Sequence, residues 1–335
     1  MKNKLIIFSI LMISLFSCSK NSFKVNVNME NANGRTAYIQ KIIDNETVNI
    51  DSIVIENNLF TFDVKGNKNN DILHLHINGW RRSLPFIADN NDVNISGDFN
   101  AYNKVRIEAS ETQNILDNFN QKFNSATNDD QRKLLITDFI KGNTESVLSP
   151  YLLYRYKWAF DLNELKSAVS YFPASFNTGY LSKVNEYIEL LERSEVGKPY
   201  IDFTLNNIED QEVSLSSIVN DNKLVMVDFW ASWCPDCRVE NPNVVSVYQD
   251  YKDKGLEIIS VSLDTDKNAW TKGIKEDSLF WNNHVSALKG WNCPAAAEYG
   301  VAFIPQNVLI NADGIIVAKN LNGEDLRTFV SRYFR

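Results

Sequence analysis

The stretch Phe229-Trp-Ala-Ser-Trp-Cys-Pro-Asp-Cys237 constrains this chain more than any other. Its two cysteines, three positions apart, follow an apolar run, Leu224-Val-Met-Val-Asp-Phe-Trp230. β-Branched and aromatic residues dominate that run, which therefore reads as a buried strand. The residues after Cys237 read as a helix. Cys234 thus stands where a strand hands over to a helix N-terminus. Unpaired N–H groups and the positive end of the helix dipole favour an anion there, and a thiolate is such a group. One helical turn brings Cys237 within disulfide reach of Cys234. Thiol–disulfide exchange needs this pattern: one low-pKa thiolate attacks, and a second thiol resolves the mixed disulfide. The competing readings are half a zinc site and a static disulfide. Zinc would need two further ligands. Only His74, His76, His284 and Cys293 are on offer, none at a finger-like spacing. A static disulfide rarely has a strand before it and a helix through it. The context favours a redox pair, with no metal and no cofactor.

Asp228 lies inside the apolar strand, six residues before Cys234. A buried carboxylate is costly unless paired or neutral, so its pKa should rise. A raised pKa suits a proton acceptor for Cys237 when that thiol attacks the mixed disulfide. The alternative is an acid at an exposed end of the strand.

The run from Val225 to Cys237 resembles the active-site stretch of thioredoxin-fold proteins. The residues around it most resemble the TlpA/ResA-type thiol–disulfide oxidoreductases, which are membrane-anchored and face an extracytoplasmic space. The resemblance covers about residues 195–335. Gly197-Lys-Pro-Tyr-Ile-Asp-Phe-Thr-Leu205 is similar to the family's first strand. Asp228 falls on its buried acid, and Pro242 on the proline that kinks the active-site helix. Tyr299-Gly-Val-Ala-Phe-Ile-Pro305 matches the segment with the cis-proline. The resemblance implies that Pro305 is cis and faces the disulfide, and an Xaa-Pro bond tolerates cis at small cost. It also implies that the backbone of Ile304 pairs with a substrate peptide in β fashion. Trp233, Pro235 and Asp236 complete the expected substrate surface, with Trp233 shielding one side of Cys234 and reporting redox state by fluorescence. Two features depart from the family pattern. Most close relatives carry proline just before the second cysteine, whereas here Pro235 follows the first and Asp236 precedes the second. Gln306 stands where many relatives have threonine.

A length of 335 residues suggests two or three domains. The net charge of −8 argues against nucleic acid and against an anionic membrane surface as partners. Residues 1–18 read as a targeting segment. Lys2 and Lys4 form a basic start, and the apolar stretch from Leu5 to Phe16 is too short to span a bilayer. Leu15-Phe-Ser-Cys18 resembles a bacterial lipobox, which makes Cys18 the expected lipid anchor; the alternative is a cleaved secretory signal with an incidental cysteine. Cys293 is then left over, and reads as a small, half-buried apolar residue.

Residues 22–107 read as an all-β, sandwich-like domain. Alternation marks strands from Phe23 to Met29 and from Asn49 to Ile55. After a polar turn at 44–46, Asn57-Asn58 reads as a hairpin turn into the strand 59–64. Further strands are expected over 37–42, 72–77, 84–87, 93–96 and 105–107. His74 and His76 share one strand face, read as solvated. Trp80-Arg-Arg82 reads as a loop with a packed tryptophan. Residues 111–193 read as a helical connector. Ser110 caps a first helix, and Leu134, Leu135, Phe139 and Ile140 mark a second. Ser149-Pro150 reads as N-cap and first position of an aromatic-rich third helix. Asp161 with Glu164 resembles a capping box. Residues 195–335 alternate strands and helices in a thioredoxin-like α/β order, βαβ then ββα, with the strands at 224–230 and 256–263 parallel.

The expected activity is an extracytoplasmic, lipid-anchored thiol–disulfide oxidoreductase. It reduces disulfides of substrate proteins and draws electrons from an upstream membrane donor. Asp236 places a negative charge beside the pair, which disfavours the Cys234 thiolate and so the stable dithiol that a strong oxidant needs; Pro235, found in strong oxidants too, argues the other way. An oxidase or isomerase using the same pair is the nearest alternative. A binding lipoprotein with a structural disulfide is the alternative from another class. A peroxiredoxin would carry Pro-x-x-x-Thr-x-x-Cys, and the residues before Cys234 lack both markers.

Overall fold

A computed structural model of the chain describes residues 22–43, 46–66 and 70–335. The expected targeting segment with Cys18, and part of the turn at 44–46, lie outside the described residues. The chain divides into two compact units between Thr127 and Asn128.

In the first unit, alternation in sequence becomes alternation in burial. Strand β1 (Ser22–Glu30) buries Phe23, Val25, Val27 and Met29 and turns the residues between them outward. It is followed by β2 (Thr36–Ile43), β3 (Glu46–Val54), β4 (Leu59–Lys65), β5 (Asp71–Ile77), β6 (Leu84–Ala88), β7 (Val93–Asp98), β8 (Arg106–Glu108) and helix α1 (Glu111–Ser125). Two sheets form, in the orders β4-β1-β7-β8 and β3-β2-β5-β6. Val25, Phe62 and Ile95 of one sheet and Ile39, Leu75 and Phe86 of the other share a single apolar core, as in a sandwich.

The hairpin expected at Asn57-Asn58 is replaced by a crossing between sheets. Both asparagines take left-handed backbone (φ 56° and 62°) and close an isolated Glu56–Leu59 bridge. Beyond that bridge β3 pairs with β2, and β4 pairs with β1. Burial explains the split. Phe60, Phe62 and Val64 of β4 enter the core, whereas Val48, Ile50 and Val54 of edge strand β3 stay exposed. His74 and His76 are half-buried rather than solvated, because β5 is an inner strand. His76 Nδ1 lies 3.3 Å from Ser83 Oγ, and burial takes the His74 pKa down to about 4. Trp80 stacks on Phe99 and meets Tyr102 edge-on, with its indole N–H donating to the Phe99 carbonyl at 3.0 Å.

The helices expected as one connector are divided between the units. Helix α1 belongs to the first, where the Ile87 N–H donates to Gln113 Oε1 at 3.2 Å. The second unit holds α2 (Asp129–Gly142), α3 (Leu148–Arg155), α4 (Leu162–Val169) and α5 (Gly179–Arg193). Helix α2 buries Ile136 and Ile140 and leaves Leu134 exposed, one step round from the face expected. Helix α3 starts ahead of Ser149, so that residue is not a cap; its hydroxyl donates to the Asn143 carbonyl at 2.7 Å. The aromatic run after Pro150 breaks at Tyr156 into a 3₁₀ turn, Lys157–Ala159. The capping box forms as expected. Glu164 N–H donates to Asp161 Oδ1 and Asp161 N–H to Glu164 Oε2, each at 2.8 Å.

The rest of the second unit comprises β9 (Thr204–Asn207), β10 (Glu212–Ser214), α6 (Leu215–Val219), β11 (Leu224–Trp230), α7 (Pro235–Tyr251), β12 (Leu256–Ser262), α8 (Lys267–Glu276), β13 (Asn283–Ser286), α9 (Pro294–Glu298), β14 (Gln306–Asn311), β15 (Ile316–Lys319) and α10 (Gly323–Tyr333). One sheet takes the order β10-β9-β13-β12-β11-β14-β15. Strands β11, β12 and β13 are parallel, and β14 runs antiparallel to β11. This is the thioredoxin-like α/β arrangement. Strand β13 escaped the sequence reading, because four residues opening on Asn-His show no apolar run. No described helix is long and apolar enough to cross a membrane.

Asp161→Ala removes one half of the α4 capping box. It is expected to cost about 1 kcal/mol of stability, seen as a lower urea midpoint at unchanged m value.

Candidate active site

All seven residues of β11 are buried. The strand leads through Ala231, Ser232 and Trp233 to Cys234, which is the N-cap of α7. Pro235 occupies the first helical position, where a missing N–H costs nothing. Cys234 and Cys237 are joined in a disulfide with Cα atoms 5.3 Å apart. The Cys237 N–H donates to Cys234 Sγ at 3.1 Å, so the first sulfur takes up one of the helix's unpaired donors. Both residues are buried, Cys234 at 4% exposure and Cys237 completely. Asp236, exposed in the first turn of α7, lies where the helix dipole accommodates an acid. Pro242 lies inside α7, where it withholds one N–H from the helix ladder.

The turn before Cys234 is held from both sides. Asp264 accepts from the Ser232 N–H (3.0 Å) and hydroxyl (2.6 Å), and also from the Ser262 hydroxyl (2.7 Å). Arg238 donates to the Ser232 carbonyl at 3.1 Å while its guanidinium pairs with Glu276 and Asp277. The sequence reading missed Asp264 and Arg238; a serine–aspartate pair closing the β12 run was the available signal. Trp233 is half exposed. Its indole N–H donates to the Leu263 carbonyl at 3.3 Å, and its ring lies 6.3 Å from that of Trp291.

The Ile304–Pro305 peptide is cis, and the Ile304 carbonyl oxygen lies 3.7 Å from Cys234 Sγ. The structure thus brings Cys234, Cys237 and Ile304-Pro305 together. Gln306 accepts from the Ala302 N–H at 3.1 Å and donates to Asn320 at 3.1 Å, closing the turn around the cis bond. Cys293 is a free thiol, fully rather than half buried, and burial pushes its pKa up.

Asp228 is buried within β11, not at an exposed end. Its Oδ2 accepts from the Ser260 hydroxyl at 3.0 Å, and Ser260 Oγ in turn accepts from the Trp281 indole N–H at 3.1 Å. Strand register places Asn307, Asp228, Ser260 and His284 in one cross-strand row, all buried. Burial raises the Asp228 pKa to about 7; the Ser260 bond opposes this rise and the negative charge of Glu240 adds to it. Such a carboxyl changes charge near neutrality.

Residues 196–319 match the AhpC/TSA family, and residues 23–116 match a domain of unknown function, DUF4369. The chain is 29% identical over 157 residues to thiol-disulfide oxidoreductase ResA of Bacillus cereus, spanning 47% of this chain and 83% of that protein. It is 27% identical over 121 residues to thiol:disulfide interchange protein DsbE of Pseudomonas aeruginosa, 36% of this chain and 63% of that one. Among solved structures, the thioredoxin domain of a thiol-disulfide oxidoreductase from Bacteroides vulgatus shares 33% identity, over 42% of this chain and 99% of that domain, with a TM-score of 0.39. Residues 196–319 thus form an AhpC/TSA domain of thioredoxin fold, and the proteins this chain resembles there are named thiol–disulfide oxidoreductases of ResA and DsbE type.

The raised Asp228 pKa has a consequence for stability. The carboxyl favours the folded state in its protonated form. Its contribution is complete below the ordinary pKa of 3.8 and is lost as pH rises through about 7. Asp228→Asn is therefore expected to stabilise the protein above neutrality, by roughly 2–4 kcal/mol, with the advantage vanishing near pH 4. Urea unfolding of both proteins at pH 4 and pH 8 checks this.

Proposed function

We propose that this protein reduces disulfides of substrate proteins in an extracytoplasmic compartment, tethered by a lipid at Cys18. The observation that carries the reading is a Cys234–Cys237 disulfide whose first cysteine caps the N-terminus of α7 and whose Sγ lies 3.7 Å from the Ile304 carbonyl oxygen. In the dithiol state the Cys234 thiolate attacks one sulfur of a substrate disulfide, and the other substrate sulfur leaves as a thiolate. Cys237 then loses its proton to the Asp228 carboxylate and attacks Cys234 Sγ. The second substrate thiol is released, the substrate has gained two electrons, and the Cys234–Cys237 disulfide remains. A membrane electron donor must restore the dithiol.

Ile304 and Pro305 are assigned to docking. The Ile304 carbonyl is presented beside the reacting sulfur, where an extended substrate strand can pair with it. Trp233, Pro235 and Asp236 form the exposed rim of the same face. The basic start of the chain, its short apolar stretch and the Leu-Phe-Ser-Cys18 sequence support the anchor and the location.

The equilibrium potential of the pair, followed by Trp233 fluorescence in glutathione and dithiothreitol buffers, decides the direction. A reductase is expected to lie near or below about −270 mV, and a value near about −120 mV would make the protein a disulfide-forming oxidant instead. Cys234→Ser should abolish exchange, whereas Cys237→Ser should accumulate the mixed disulfide; full function in Cys234→Ser would return the pair to a structural role. Asp228→Asn should slow the resolving step roughly a hundredfold, measured by quenched-flow trapping of the mixed disulfide.

A further inference from the structure

The segment that carries the cis bond is gripped by a helix more than a hundred residues earlier in the chain. From α5, the Tyr187 hydroxyl donates to the Gly300 carbonyl at 3.0 Å, in a buried bond. Ser194, which follows α5, has its hydroxyl oxygen 3.2 Å from the Leu190 carbonyl and 3.4 Å from the Tyr299 carbonyl, and accepts from Lys319 Nζ at 3.2 Å. Gly300 has left-handed backbone (φ 65°). A Cβ there would lie 3.1 Å from Leu191 Cδ2 and 3.5 Å from Tyr187 Cε2, so α5 lies directly against this turn. The Tyr299 hydroxyl donates to the Ile201 carbonyl at 2.8 Å and accepts from the Ile201 N–H at 3.0 Å. One end of the segment is thus fixed by α5 and the strand approach at Ile201. The other end is fixed by Gln306. Between them lies the Ile304 carbonyl, 3.7 Å from Cys234 Sγ.

We propose that Tyr187 is a positioning residue for substrate docking: through Gly300 it sets where Ile304 stands relative to Cys234. Helix α5 is then a working part of the redox unit rather than a spacer ahead of it. The inference rests on the reading that Ile304 and Pro305 dock the substrate. Burial raises the Tyr187 pKa to about 12, so the phenol remains a hydrogen-bond donor at neutral pH. Without the hydroxyl, a buried carbonyl loses its donor. The turn then relaxes, and small displacements of a docking backbone weaken recognition.

Tyr187→Phe keeps the ring and removes the bond. Wild type, this variant and Tyr171→Phe, a control just after α4 whose ring lies against Lys141, are compared in reduction of insulin by dithiothreitol. Their dithiol forms are also reacted with a small aromatic disulfide, which needs no docked strand. Tyr187→Phe is expected to raise KM for insulin about fivefold while kcat, the small-disulfide rate and the Trp233 redox titration stay at wild-type values. Amide exchange at Val301, whose N–H donates to the Ala296 carbonyl at 2.9 Å, should accelerate in the same variant. An unchanged KM with unchanged exchange overturns the proposal. So does equal slowing of both disulfides, which signals general damage. A wild-type protein that reacts with the small disulfide but not with insulin sinks the docking reading itself.

Discussion

The site depends on a strand that water does not reach. Strand β11 lies between β12 and β14 and is buried along its whole length. Its six large apolar side chains each gain about 1.5–3 kcal/mol on burial, or on the order of 10 kcal/mol together. Holding Asp228 ionised in that setting costs about 4 kcal/mol, from a pKa moved from 3.8 to about 7. The Ser260 hydroxyl donates to the Asp228 carboxyl, and the Trp281 indole N–H donates to Ser260 Oγ in turn.

The same strand delivers Cys234 to a helix N-terminus. Burial and polarity divide the work between the two sulfurs. Cys234 takes the Cys237 N–H and faces the Ile304 carbonyl, while Cys237 is enclosed. Asp264 and Arg238 pin the intervening turn, so the first cysteine stands on rigid ground although it lies between elements. Rigid support of this kind is what a site needs to hold reacting atoms in register.

The helices ahead of the redox sheet serve two different units. Helix α1 completes the β-sandwich through Gln113, whereas α5 braces the turn before the cis-proline. The DUF4369 match, which ends at residue 116, falls on the same side of the division as α1. A chain of this kind is thus two compact units, each with helices of its own.

Local pattern made much of this legible. The strand-cysteine-helix order, the β1 alternation, the Asp161–Glu164 box and the proline after Ile304 are short-range features, and their physics acts within a few residues. Where partners are distant, the pattern fell short. The Asn57-Asn58 turn was visible, yet whether β4 folds back on β3 or crosses to β1 depends on which strand fills the core. Leu134 and Ile136 compete for one buried stripe, and only packing chose between them. Ser260, Trp281, Asp264 and Tyr187 are unremarked polar or aromatic positions in sequence; each gains its role from a hydrogen bond across 21 to 113 residues. The sequence by itself determined the reaction class, because two thiols one helical turn apart are local chemistry. Only the tertiary structure decided which groups hold those thiols and that turn in place, because those bonds join strands and helices that the chain's order keeps apart.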